Sequence, residues 1–322
     1  MVSILKFQAM WLLVCLIFLI CYSAEENGQD RPDWVLAFPP QFAKRQLPSL
    51  RYNDALKNAY GQFIATNSKN DNFRCHELIL AMKHAFYAQE NGLVVEMGAA
   101  GGDFKTHANS YNLEVLFNWN RILIEANPVH FENLRKQPTR PTPTAFAVGA
   151  AVCETEEMVH YVYNNDTLFQ YISGIYEMMN GNFRRKFHKD LYAKVQKKGP
   201  LSKWKVLPDD VIRIRCVPMS TILEKAGVTH INWFSLDTEG GELAVLHTID
   251  WSTTTIDILT VETEPWYRPD GYLEKVQAFM EDKGYVMIAR QHRRNSWFRH
   301  KSFNVSSMPG ANHRRSNPFS AV

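Results

Sequence analysis

The stretch VVEMGAAGGD, residues 94–103, decides how the chain is read. An apolar, β-branched run ends in an acid, Glu96, and opens into a loop carrying Gly98, Ala99, Gly101 and Gly102. A helix-like segment, THANSYNLEVLFNW (106–119), follows, so the reading is strand, glycine turn, helix. Glycines let the backbone turn sharply and approach a ligand closely. Their spacing matches neither G-x-G-x-x-G nor the phosphate loop G-x-x-x-x-G-K-[ST]. An acid two positions before the first glycine would repel a pyrophosphate. It suits a ligand with a cationic or hydroxyl-bearing part.

On both sides of this stretch the same texture recurs. RILIEA (121–126), TAFAVGAAV (144–152), MVHYVYN (158–164), VIRIRCV (211–217), INWFSLD (231–237) and IDILTVE (256–262) read as strands. YVMIAR (285–290) closes the sheet, with one more strand near SWFRHKSF (296–303). Helical patterns lie between them at 127–137, 220–227, 241–249 and 272–284, and two more precede them at 53–63 and 75–89. The alternation argues for a mostly parallel sheet with helices on both faces. Residues 173–205 interrupt it with a run of lysines and arginines, read either as a solvated insertion or as a basic lid over an anionic substrate or membrane surface.

Open α/β sheets bind ligands at the carboxyl ends of their strands. The residues there are Glu96 and the glycine loop, Glu125 with Ala126, the Val148 region, Asp237 with Glu239, and Glu262 with Glu264. Glu125 could accept two ribose hydroxyls, as the acid at that strand end does in dinucleotide folds. S-adenosylmethionine fits these electrostatics: it has an ammonium, a sulfonium and a ribose diol, and no phosphate. Methyl transfer to a hydroxyl also needs a base or a metal, and Asp237 and Glu239 are the candidates. Asp237 and Glu262 could also offer oxygen ligands to Mg²⁺, although no composition signal demands a metal. Helix capping competes for the acids of SLDTEGGELAVL (235–246). His247 reads as structural, and Trp266 and Tyr267 as either acceptor-pocket or packing residues.

VVEMGAAGGDF, ILIEANP, SLDTEGGELAVL and IDILTVE follow, in order, the motifs of FkbM-type methyltransferases. The chain resembles that family over residues 75–290. The resemblance implies a Rossmann-like class I methyltransferase fold and S-adenosylmethionine-dependent O-methyl transfer. Glu96 and Gly98 to Gly102 would hold the cofactor, Glu125 its ribose, and Asp237, Glu239 and Gly240 the reacting side. Ser235 stands where many bacterial members carry Lys, and looks more like an animal branch of Star-like proteins. That branch implies an alternative role as a membrane-associated trafficking factor for a transmembrane cargo protein, on the ER–Golgi–endosome route.

The N-terminus places Lys6 before an apolar run from Ala9 to Tyr22, with Glu25, Glu26 and Asp30 after it. A cleaved signal peptide and a retained signal-anchor over residues 1–23 both fit, and either faces the remainder toward the secretory lumen. A Pro-rich stem (24–50), a methyltransferase-like domain (51–303) with the insertion 173–205, and a basic tail (304–322) follow. The lumenal expectation agrees with sequons at Asn165 and Asn304. The chain has 322 residues with 45% hydrophobic and 21% charged content, enough for one large domain. A formal net charge of +3 gives no case for a nucleic-acid partner. Cys15 and Cys21 lie in the apolar run. Cys75, Cys153 and Cys216 allow one disulfide with a free thiol, or three buried thiols, and exclude a zinc ribbon.

Overall fold

The computed structural model describes residues 35–36, 51–53, 56, 58, 61–62, 76–102, 108–136, 145–163, 172–265, 268–291 and 294–304. The apolar segment 1–23, most of the stem, Cys75, the sequon at Asn165, Trp266, Tyr267 and the tail beyond Asn304 lie outside the described residues. The chain divides into two compact units, Met1–Val35 and Leu36–Val322. Of the first, only Val35 is described.

The described strands are β1 (Val35–Leu36), β2 (Arg51–Tyr52), β3 (Gln89–Glu90), β4 (Leu93–Met97), β5 (Asn120–Ile124), β6 (Ala145–Val148) and β7 (Ala151–Val152), then β8 (Glu157–Val162), β9 (Gly174–Ile175), β10 (Val211–Val217), β11 (His230–Leu236), β12 (Thr255–Glu262), β13 (Tyr285–Gln291) and β14 (Asn295–His300). The described α-helices are α1 (His76–Ala81), α2 (Tyr111–Phe117), α3 (Pro128–Lys136), α4 (Gly181–Phe187), α5 (Lys189–Lys198), α6 (Met219–Ala226), α7 (Glu242–His247) and α8 (Tyr272–Asp282). The main sheet is eight-stranded, in the order β1-β6-β5-β4-β11-β12-β14-β13. β6, β5, β4, β11 and β12 run parallel, and β14 is antiparallel to both its neighbours. β4 and β5 are buried along their whole length, which is why they read as unbroken apolar runs and not as alternating ones. β4 has β5 on one side and β11 on the other, so the strand order reverses there. The crevice at the carboxyl ends of β4 and β11 is where such a sheet binds ligands.

Large aromatics fill the core behind this crevice. Trp233 of β11 stacks on Trp297 of β14 with ring centroids 6.1 Å apart, and its indole N–H donates to Thr260 Oγ1 at 2.9 Å. Trp119 meets Phe86 edge-on at 4.9 Å and donates to the Gln89 carbonyl at 2.9 Å. Each buried indole therefore keeps its polar atom satisfied.

Several expectations need correction. The run 144–152 is two strands: beyond β6 the chain turns at Gly149, under the Phe131 ring, and β7 joins another sheet. That sheet, β7-β10-β8-β9, is largely antiparallel and takes up MVHYVYN and VIRIRCV, so the parallel alternation stops at β6 and resumes at β11. The helix expected over 75–89 ends at Phe86 in a π-helical turn, Met82–Phe86. Tyr87, at φ 41°, then turns the chain into β3, which pairs with β2. β14 does not follow β13 at the edge but lies inside it, between β12 and β13. The insertion is no single helix: it opens with β9 and continues as α4 and α5. Phe183 and Leu191 are buried beneath these helices, and Leu201 just beyond them.

Of the open cysteine pairings, the structure selects one. Cys153 and Cys216 form a disulfide with Cα atoms 5.8 Å apart, beside the parallel pairing of β7 with β10. Among the described residues no helix is long and apolar enough to cross a membrane.

Candidate active site

A cavity of about 440 Å³ opens at the carboxyl ends of β4, β5 and β11. It is of the size that holds small ligands and cofactors. Glu96, Gly98, Glu125, Ala126, Asp237, Glu239 and Glu262 line it, which brings together motifs far apart in sequence. Ala99, Gly101, Gly102 and Val148 do not line it. The Val148 carbonyl is spent on the Glu125 N–H at 2.9 Å, and Ala150 and Ala151 line the wall instead. Glu77, Tyr161, Ser173 and Arg294 also line it, and sequence reasoning missed them.

Glu96 lines the cavity, but its carboxylate is engaged by partners within the chain. Its carboxylate accepts the Asn109 N–H at 2.5 Å, the Ser110 N–H at 3.0 Å and the Ser110 hydroxyl. Arg121, 1% exposed on β5, lies 3.8 Å away. The same guanidinium donates to Ser110 Oγ at 2.7 Å, Glu114 at 2.9 Å and the Gly102 carbonyl at 2.8 Å. Glu96 and Arg121 thus tie the strand, the end of the glycine loop and the start of α2 into one unit. Burial pushes the Glu96 carboxyl above its ordinary value, against the pull of Arg121. Gly98 is held at φ 81°, and a Cβ there would stand 2.2 Å from the Asp237 carbonyl oxygen. Only glycine allows β4 and β11 to meet this closely.

Glu125 presents both oxygens at the next strand end. One accepts the Ala100 N–H and the other the Asn127 N–H, each at 2.7 Å, and the Ala126 backbone N–H adds a third bond, which leaves the carboxylate acceptor capacity to spare. The Asn127 side chain also caps α3, accepting the Val129 N–H at 2.9 Å. Burial pushes the Glu125 carboxyl up to about 7 from 4.5. A raised folded-state value means the native protein keeps a proton that the unfolded chain releases. Stability then falls as pH rises from about 4.5 to 7, by roughly 3 kcal/mol at most from this group. Calorimetric melting is expected to show a shallower decline over that window in Glu125→Gln; an unchanged decline would remove Glu125 as its source.

SLDTEGGELAVL resolves into distinct roles. Glu242, fully buried, accepts the Gly240 N–H at 3.0 Å, the Thr238 N–H at 3.1 Å, the Tyr272 hydroxyl at 2.8 Å and Arg268 at 2.8 Å. Burial alone would raise its pKa, but Arg268 and these donors outweigh it and hold the carboxyl below its ordinary value. Glu242 is therefore the loop's anchor, and no side chain caps α7, whose N-cap is Gly241. Asp237, Glu239 and Glu262 face the cavity with one oxygen each within 4.8 Å of one another. Asp237 is open to the cavity yet enclosed by protein on its other sides. Burial, then the Glu242 charge, pushes it up to about 6, while Glu262 hydrogen-bonds to it. Glu239 and Glu262 are raised further, by burial and by their neighbours' charge. A divalent ion would need all three ionised together. Its charge would favour those ionised forms, so the trio suits a divalent ion; without one, the shared rise in pKa favours a proton held between Glu262 and Asp237.

The insertion meets this loop at its first turn. Gly240, at φ 123°, packs where a Cβ would lie 3.0 Å from the Met178 carbonyl, and Gly174 lies against Glu239. Ser173, Gly174 and Ile175 make the insertion part of the cavity wall, and none of the lysines and arginines of 184–205 lines it. His247 is exposed and stacks edge-on against Phe279 at 4.5 Å, the structural role its position implied.

Residues 96–287 match the family model of the methyltransferase FkbM domain, which is more than half of the chain. The chain belongs to the FkbM methyltransferase family. The match begins at Glu96 and ends on β13, so the FkbM domain takes in the glycine loop, Glu125, the acid trio and the whole insertion. It establishes the family and not the Star-like branch. Among curated proteins none matches the chain.

Proposed function

We propose that this FkbM domain is an S-adenosylmethionine-dependent O-methyltransferase of the secretory pathway, acting on a hydroxyl of a small-molecule, glycan or lipid-linked acceptor. The observation that carries the cofactor is Glu125: a carboxylate fixed by backbone N–H groups, with acceptor capacity to spare, lining a cavity beside the Gly98 turn. That is the acceptor a ribose diol needs. The cofactor supplies an electrophilic methyl group on a sulfonium, and the remaining work falls to the chain. Gly98 brings the backbone of the loop against that of Asp237, narrowing the crevice in which the reacting atoms must align. Asp237, ionised above about pH 6, is placed to take the acceptor's proton, and its bond to Glu262 orients it.

The secretory placement rests on the Cys153–Cys216 disulfide, since such bonds persist in oxidising compartments. The apolar run 9–22 agrees with it. A retained run would anchor the domain to the ER or Golgi membrane; a cleaved one would release it.

Calorimetry of the chain with S-adenosylmethionine is expected to give saturable heat. Glu125→Ala should weaken binding by about 100-fold, the worth of two hydrogen bonds to a charged group. Absence of heat with the native chain would sink the cofactor, and unchanged binding in Glu125→Ala would sink the ribose assignment. Labelled methyl incorporation into lysate fractions should be lost in Asp237→Asn while cofactor binding persists. Undiminished incorporation would remove Asp237 as the base.

A further inference from the structure

We propose that the outward face of α5 and the turn after it, residues 189–206, is a docking surface for a sulfated polysaccharide. Residues 181–205 contain nine lysines and arginines against one acid, Asp190. This segment carries more positive charge than the whole chain's +3, so the remainder is net acidic. The charge is concentrated and outward. Lys189, Lys194, Lys197, Lys198, Lys203 and Lys205 are all exposed, and among the described residues none forms an ion pair. They serve neither the cavity nor a salt-bridge network, so their summed field is available to a polyanion.

The structure also says which polyanion. Insertion into a bilayer would require an apolar face, and purely electrostatic lipid binding belongs to the anionic cytoplasmic leaflet, not to an oxidising lumen. The apolar side of α5 is already taken: Leu191 and Val195 pack with Val162, Tyr176, Leu201 and Val211. The exposed aliphatic side chain left on this surface is Val206. A single-stranded nucleic acid would look for aromatic platforms. Trp204 is half-buried, its N–H donates to the Gly199 carbonyl at 2.9 Å, and the Lys198 ammonium lies 5.1 Å over its ring. What is left is a rigid, purely cationic face held on a packed two-helix unit. The Cys153–Cys216 disulfide favours an oxidising compartment, where the abundant chain-like polyanions are sulfated glycans and not nucleic acids. This inference needs the disulfide but not the methyl-transfer reading, and it survives if no cofactor binds.

The test is affinity chromatography and titration of the full chain, in non-ionic detergent, with heparin as the sulfated polysaccharide. The native chain is expected to elute from heparin at higher salt than from a sulfopropyl cation exchanger. Lys194→Glu/Lys197→Glu/Lys198→Glu should weaken heparin binding by at least about tenfold, with a shallower dependence on salt. The charge-matched Lys225→Glu/Lys275→Glu/Lys301→Glu should leave it nearly unchanged. Because all six positions are exposed, melting temperatures should agree, and Lys→Gln at the first three checks that reversal of charge has not introduced repulsion of its own. Equal losses in the two triple variants, or no retention beyond the cation exchanger, would overturn the proposal. So would tighter binding to phosphatidylserine vesicles or to duplex DNA than to heparin, lost in the same variant, which would assign the surface to that partner instead.

Discussion

Arg121→Met is expected to destabilise the domain by about 3–5 kcal/mol, the cost of removing one member of a buried charge cluster. Methionine fills much of the volume, so the loss is electrostatic and not a cavity. Without the guanidinium, Glu114 loses its 2.9 Å partner and the Gly102 carbonyl its donor at 2.8 Å. Glu96, already raised by burial, loses the cation that opposes the rise and is driven to take up a proton. The loss should therefore grow between acid and neutral pH, as ionising the stranded carboxyls becomes the cheaper state only in the unfolded chain. Arg121→Lys should recover part of the charge and little of the geometry, because one ammonium cannot serve Ser110, Glu114 and Gly102 at once. Urea unfolding of the three proteins at two pH values reads this directly. A loss under about 1 kcal/mol would mean the cluster contributes no more than a surface pair.

Gly98→Ala should cost about 2–4 kcal/mol and abolish cofactor binding. The added methyl meets a backbone carbonyl at 2.2 Å, and at φ 81° the residue would also be in left-handed strain. A backbone carbonyl just past a strand end, in a residue whose own N–H is bonded to Met97, cannot swing away as a side chain can, so relief requires the ends of β4 and β11 to part at the crevice itself. Gly102→Ala is the control. Its φ is also positive, at 69°, but its Cβ would meet the tip of Leu123 at 3.0 Å, which can yield. If the two variants melt alike, strand contact at Gly98 is not what demands the glycine.

Much of the site was legible because its residues obey a local rule. Glu96, Glu125 and Asp237 each end an apolar run, and parallel strands buried on both faces announce themselves as such runs. What the rule cannot convey is which sheet a run joins. MVHYVYN and VIRIRCV look like their neighbours, yet pair with each other in a separate sheet, since a short apolar strand carries no record of its partner. Tyr161 was missed for that reason: it reaches the cavity from β8, across a sheet boundary, bonding to Ser173 and Asn127. Arg121 left a signal in RILIEA, a charge inside a buried strand, which is worth explaining wherever it occurs. Arg268 left none. Its importance comes from Glu242, Glu262 and Tyr272 converging on it in space.

The position of β14 bears on how the protein is made. The strand leaves the ribosome after every other described strand, yet it is an interior member of the sheet. Until Asn295–His300 emerges, the eight residues of β12 show an unpaired edge and Trp233 has no Trp297 to stack on. Asn295, which donates to Glu77 at 2.8 Å across the cavity wall, is also still missing. A nascent chain thus cannot complete this sheet strand by strand in chain order: β13 reaches its place only through β14, which makes β14 the keystone.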